Sequence, residues 1–313
     1  MTFKHMLAGV LGLAMATTAG VALADYPEKP VTFIVPWPPG DLEDVLPRMM
    51  ADEFHKRTGV PAAVVNQPGG SGVVGGVTVA NANPDGYTVG SFTIDIPTIL
   101  TQGPDAQIAP DALEPVGIFL TYPFLVATSA DAPYATLEEM VEYSKDNTVR
   151  LGHFGYGAAP TYLTMRGVQS MGGAFGAEAA FDEVNCATLA NGDADVISTT
   201  AQLVLGCLND ITILATITED RTALAPDVPT MTELVPALTT TLWNGLFVPK
   251  GTPQEVKDLL EEVALAVVNS PEAQGLRDTT GALIYWTDAA QAAANIARDT
   301  ADLVEIRQAM GLD

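Results

Sequence analysis

An α/β architecture in two domains is what this 313-residue sequence predicts, and three observations predict it. Short apolar stretches rich in Val, Ile, Phe and Thr alternate with segments of helical periodicity, each strand followed by a glycine-bearing loop. The alternation comes in two sets, separated by a change of character after Leu113. Strand-like sequence of the first kind returns at Trp243, so the second set reads as a domain inserted into the first. About 290 residues remain beyond the leader described next, enough for two domains that each bury a core.

The first segment, MTFKHMLAGVLGLAMATTAGVALADYPEKP, carries Lys4 and His5, an apolar run from Leu7 and the small-x-small triplet Ala22-Leu23-Ala24. That pattern is a secretory signal peptide over residues 1–24, cleaved after Ala24. The run is too short and too glycine-broken for a membrane anchor. An exported protein is expected.

Val31 to Trp37 (VTFIVPW) is a strand ending at Pro38-Pro39-Gly40. Leu42, Val45, Leu46, Met49, Met50 and Phe54 then recur at helical spacing up to Gly59. Pro47 sits early in that helix, where a missing amide is tolerated. PAAVVNQ is a second strand, PGGSGVVGG a glycine loop, VTVANANPDG a short helix and turn, and YTVGSFT a third strand. This is the grammar of a parallel sheet. LEPVGIFLTYPFLVATSADAP supplies two strand-like pieces, followed by the helix TLEEMVEYSKD. The second set runs VRLGHF (strand), GYGAAP (loop), TYLTMRGVQSMG (helix), GAEAAF (strand), NCATLANG (helix) and ADVIST (strand). LWNGLFVPKGTP then precedes the long helix QEVKDLLEEVALAVVNS, and DAAQAAANIARDTADLVEIRQAM is helical. The expected domains are 25–124 with 243–313, and 125–242, with hinges near 120–128 and 238–248.

The formal charge of −24 makes nucleic acid and anionic membrane surfaces poor partners. The acids are spread along the chain, a property of the whole surface. Cys186 and Cys207 are the only cysteines; in an oxidising compartment a single disulfide is expected, with two buried thiols as the alternative. Beyond His5 in the leader the chain has only His55 and His153, so metal ligation and a Ser/His/Asp grouping are poorly supplied.

Gly70-Ser71-Gly72-Val73-Val74-Gly75 fits G-x-G-x-x-G, with Asp95 downstream at a strand end. The motif follows the second strand rather than the first and Pro68 intervenes, so a small-anion loop or a purely structural turn is preferred over a dinucleotide site. No cofactor is expected.

In order along the chain, YPEKPVTFIVPWPPGDLED, VVNQPGGSGVVGG, NPDGYTV, DVPTMTEL and LWNGLFVPKGTP resemble the substrate-binding proteins of tripartite tricarboxylate transporters, the Bug or TctC-like family. The resemblance spans nearly the whole chain. It implies a periplasmic two-domain Venus flytrap, expected to be monomeric, that closes on a small organic acid without catalysis and delivers it to membrane permease subunits. It also implies that backbone amides, hydroxyls and waters hold the ligand. A ligand-presenting sensor and an exported enzyme are the rival readings.

The residues agree on one point: no Lys or Arg lies in 36–44, 66–76 or 152–160, so an anion there needs oriented amides and helix N-termini. The candidate ligand contacts are Trp37, Pro39, Gly40, Asp41 and Asp44 in the first loop, and Gly70, Ser71 and Gly72 in the second. Thr93 follows at the third strand's end, then Tyr156, Gly157, Ala158 and Thr161, and finally Phe181 and Asp182. The sequence departs from the family pattern where Asp41 replaces a glycine and where Phe181-Asp182-Glu183 stands for a segment usually resembling Tyr-Lys-Gly-Gly. Asp41 is expected to cap the helix, with Asp44 completing an approximate capping box, or else to accept a hydrogen bond from the ligand. Glu43 is expected to face solvent. Trp37, Tyr156 and Phe181 either pack beneath their loops or stack on a planar ligand.

Overall fold

The computed structural model describes residues 26–103 and 106–311. The leader expected over 1–24 lies outside the described residues. β1 (Val31–Val35) leads into α1 (Leu42–Thr58), which buries Leu42, Leu46, Met50 and Phe54 on one face and ends at Gly59 in the left-handed conformation a C-cap favours. β2 (Ala62–Asn66), α2 (Val73–Ala80) and β3 (Thr88–Thr93) complete the first run. β1 pairs in parallel with both β2 and β3. Next come β4 (Leu113–Thr121) and, after a turn at Tyr122-Pro123, β5 (Phe124–Ser129).

The second run comprises α3 (Leu137–Ser144), β6 (Arg150–His153), α4 (Ala159–Ser170), β7 (Ala177–Ala180), α5 (Cys186–Ala190), β8 (Val196–Thr200), α6 (Ala201–Val204), β9 (Ile211–Ile217) and α7 (Met231–Leu234). The chain then returns through β10 (Trp243–Pro249), α8 (Gln254–Val268), α9 (Pro271–Thr280), β11 (Leu283–Asp288) and α10 (Ala289–Ala309).

Two sheets result, one ordered β11-β4-β10-β3-β1-β2 and the other β7-β6-β8-β5-β9. The chain crosses from the first to the second between Thr121 and Phe124 and returns between Ile217 and Trp243. The expected parallel grammar holds only in part. β10 runs antiparallel between β3 and β4, and β5 antiparallel between β8 and β9, because the strands at the two crossings enter against the direction of their neighbours. The sequence reading also passed over β9, α9 and β11. β9 and β11 are edge strands, and α9 carries Gly275 with two threonines at its end, a weak helical signal.

One apolar core runs from Phe33, Phe54 and Phe92 through Trp243 and Phe247 to Tyr162 and Leu163 of α4, so the two sheets share buried contacts. A second cluster, around Leu125, Val184, Ile197 and Val204, packs against the disulfide-linked Cys186 and Cys207. That bridge spans 21 residues, and loop-closure entropy assigns it about 3 kcal/mol. Replacing both cysteines by serine is expected to lower unfolding stability by that order in a denaturant titration. Alkylation of both thiols in native, unreduced protein is the contrary result.

Candidate functional site

A cleft opens between the sheets where the loop after β1, the end of β3, the β4–β5 crossing and the loops after β6, β7 and β8 converge. Including its open mouth it encloses about 640 Å³.

Aromatic rings form its walls. Trp37, Tyr122, Phe124, Phe154 and Trp243 all line it. Phe154 meets Trp37 edge-on at 6.0 Å between ring centroids and Phe124 at 6.1 Å, and Tyr122 meets Phe124 at 6.0 Å. These are favourable edge-to-face geometries that set one ring against the next. The Trp243 indole is pinned from behind, its Nε1–H donating to Asp299 Oδ2 at 2.7 Å.

Carboxyl groups form the rest. Asp41, Glu43 and Asp95 are buried at 5%, 7% and 2% exposure, and Asp182 and Glu183 stand exposed nearer solvent. None of the described lining residues is Lys, Arg or His. The three buried acids converge on the Tyr122 hydroxyl, whose ionisation burial opposes first, then the charges of Glu43, Asp41 and Asp95.

Each acid has a different local task. Asp41 is the N-cap of α1, and its Oδ1 accepts from the Leu42 amide at 2.7 Å. Its second oxygen accepts from the Thr200 hydroxyl at 2.5 Å, at the end of β8 in the other sheet. Asp41 therefore caps a helix and clasps the cleft together. Asp95, just after β3, accepts from the Ala159 amide, the first residue of α4, and so also crosses between sheets. Burial pushes both carboxyls up to about 6, against those hydrogen bonds, which lower them. Glu43 does not face solvent as expected: it is buried beside Tyr122, and its carbonyl accepts from the Ser91 hydroxyl of β3. Burial, then the Asp41 charge, hold its carboxyl well above the usual range.

Several polar atoms on the lining have no hydrogen-bond partner among the described residues. They are Glu43 Oε2, the hydroxyls of Tyr122 and Thr93, and Trp37 Nε1. Tyr122 faces Glu43 and Thr93 faces Asp95, but neither pair reaches hydrogen-bonding geometry.

Of the candidates read from sequence, Trp37, Pro39, Asp41, Thr93, Ala158 and Asp182 lie on the lining. The others stand outside it, each for a visible reason. Asp44 Oδ2 accepts from the Gly40 amide at 3.2 Å, and the carboxylate also holds Arg48 and Asn66, so both residues brace the loop. The capping box is thereby displaced one residue upstream, onto Gly40. Ser71, at φ 53°, donates to the Phe154 carbonyl at 3.1 Å; it links the two sheets from behind the cleft. Gly70 and Gly72 set the turn that presents Ser71. A Cβ on Gly157 would come within 2.6 Å of Ser71, so Gly157 is packed against that link. Thr161 is buried, its hydroxyl donating to the Gly155 carbonyl at 2.9 Å. Phe181 packs against the second core cluster. Tyr156 is 43% exposed with its ring against His153, outside the cleft and not beneath its loop. In the glycine motif, a Cβ on Gly75 would meet Pro36 at 2.8 Å; that glycine lets α2 sit against the end of β1.

Sequence reasoning missed Tyr122, Phe124, Phe154, Thr200 and Trp243 as lining residues. Their signal is positional: each lies at a strand end or at a crossing between the sheets.

A carboxyl whose folded pKa is raised favours folding in its protonated form. Asp41 and Asp95 thus add stability as pH falls through about 6, fully gained below the unfolded value of 3.8. A shift of that size is worth on the order of 3 kcal/mol for a single group. Asp195, held below the usual range by Arg150, acts oppositely, but at lower pH. The ligand-free protein is expected to melt at higher temperature near about pH 5 than near about pH 7.5. In the Asp41→Asn/Asp95→Asn variant that slope is expected to flatten; an unchanged slope would contradict the assignment.

The comparisons with known proteins meet this geometry. A family model described as the tripartite tricarboxylate transporter family receptor matches residues 46–312. Protein BugT of Bordetella pertussis is 28% identical over 296 residues, covering 88% of this chain and 90% of BugT. The solved structure of the periplasmic binding protein BugD superposes with a TM-score of 0.82 at 24% identity, covering 92% of this chain and 99% of that one. MatC from Rhodopseudomonas palustris, solved with bound malate, gives 0.78 at 22% identity, covering 89% and 100%. The fold is thus that of periplasmic binding proteins, and with most of its length matched the chain belongs to the tripartite tricarboxylate transporter receptor family.

Proposed function

We propose that this chain is an exported solute-binding receptor that captures a small organic acid between its two domains and hands it to membrane permease subunits. The observation that carries this reading is a cleft lined from both sheets and clasped across by Asp41 with Thr200, Asp95 with Ala159 and Ser71 with Phe154. Residues 25–124 with 243–313 form one domain and 125–242 the other. The crossings near 120–128 and 238–248 are the hinges, and solute shifts the balance from open to closed. Family membership supports the role, as do structures of the same architecture carrying a small acid such as malate. Among the described residues no helix is long and apolar enough to cross a membrane, which fits a receptor working beside its permease.

The buried acids narrow the cargo. A tricarboxylate would bring three negative charges to a low-dielectric site where burial already disfavours ionisation of Asp41, Glu43 and Asp95, and where like charges repel far more than in water. A monoacid with a donor-rich or apolar remainder fits better. Purified mature protein is expected to gain thermal stability with at least one small acid from an aliphatic, aromatic and amino-bearing panel, and to release that acid unchanged. Turnover, or indifference to every acid in the panel, would contradict the receptor reading.

A further inference from the structure

Helix N-termini are natural anion sites, and the loops here were expected to use them so. Two of those termini are already answered by the protein's own carboxylates. The first amide of α1 goes to Asp41 and the first amide of α4 to Asp95. Nearby amides are also engaged: Gly40 donates to Asp44, Gly155 to His153 Nδ1, and Ala158 to the Gly155 carbonyl. The backbone amides at these termini are therefore not free for an incoming anion, which also meets three buried acids.

Besides the donor Trp37 Nε1–H, the cleft offers unpartnered acceptor capacity. Glu43 Oε2 and the Tyr122 hydroxyl, on side chains 93% and 98% buried, face the cleft without a partner, beside the unpartnered Thr93 hydroxyl. Around them stand the rings of Trp37, Phe124, Phe154 and Trp243. Buried acceptors left unpaired are costly, and aromatic walls attract a cation through their quadrupoles. No group of three or more His, Cys, Asp or Glu side chains among the described residues is arranged to hold a metal ion. An organic cation with several N–H donors answers all of these conditions.

We infer that the floor of the cleft is an ammonium subsite, in which Asp41, Glu43 and Asp95 receive a primary or secondary amine of the solute against an aromatic wall. This rests on the receptor reading and deepens it: the cargo is an amino-bearing acid, with its carboxylate toward the indole N–H of Trp37.

The test is isothermal calorimetry on the mature protein at neutral pH with matched pairs that differ only in the amine. The pairs are 4-aminobutanoate with butanoate, phenylalanine with 3-phenylpropanoate, and aspartate with succinate, alongside 2-phenylethylamine as an amine without an acid. The expected result is that whichever skeleton binds does so at least about tenfold more tightly with its amine. In Glu43→Gln, and separately in Asp41→Asn, that preference is expected to fall toward unity; Glu43→Gln keeps the side-chain shape and breaks no hydrogen bond seen here. Equal or tighter binding of the amine-free member overturns the ammonium subsite while leaving the receptor intact. Binding of 2-phenylethylamine alone upholds the subsite and removes the organic-acid reading. Failure of every probe counts against both.

Discussion

The hydrogen bond from Thr200 to Asp41 is the interaction on which the rest of the cleft depends. It joins the head of α1 to the end of β8, and with the Asp95–Ala159 bond it fixes how the two sheets face each other. Both links use a carboxylate of the first sheet's elements to satisfy a donor of the second. They also spend the strongest anion-attracting features of the site on internal partners. A loop that would otherwise welcome a free acid becomes one already holding its own.

That substitution explains the electrostatic character of the cleft. Three carboxyls sit together at low exposure with no cationic side chain among the described lining residues. Desolvation disfavours their charge and mutual repulsion disfavours it further. The chain keeps its cations elsewhere: Arg48 on Asp44, Arg150 on Asp195, Lys257 on Glu114. These are partly exposed pairs that add modestly to stability. Among the described residues these unpaired carboxyls are thus gathered on a cavity that both sheets line, a common mark of a functional rather than a structural arrangement.

Much of the scaffold was legible in the sequence, because α1, α8 and α10 carry strong periodicity and β1 to β3 are bounded by Pro and Gly. Two sets of α/β units bracketed by β10 followed from the order of those signals. The antiparallel placement of β10 and β5 did not, since it arises from how the chain crosses between sheets, a tertiary matter that local pattern does not encode. The site was half legible. Asp41, Thr93 and Trp37 announce themselves at strand ends, and Asp95 stood out by its spacing from the glycine motif. Glu43 was misread because a first-turn acid ordinarily faces water, whereas here it packs beside Tyr122 at the crossing between the sheets. Ser71 and Gly157 looked like ligand loops, yet their small size serves a close approach of the two halves.

In the ammonium subsite the buried acids await a positive charge. The most direct measurement is the proton balance of binding, obtained by calorimetry of the tightest amine-bearing probe at about pH 6 in buffers of different ionisation enthalpy. An ammonium entering among Asp41, Glu43 and Asp95 lowers their pKa values, so net release of protons is expected. Net uptake, as an incoming carboxylate would cause, would contradict it.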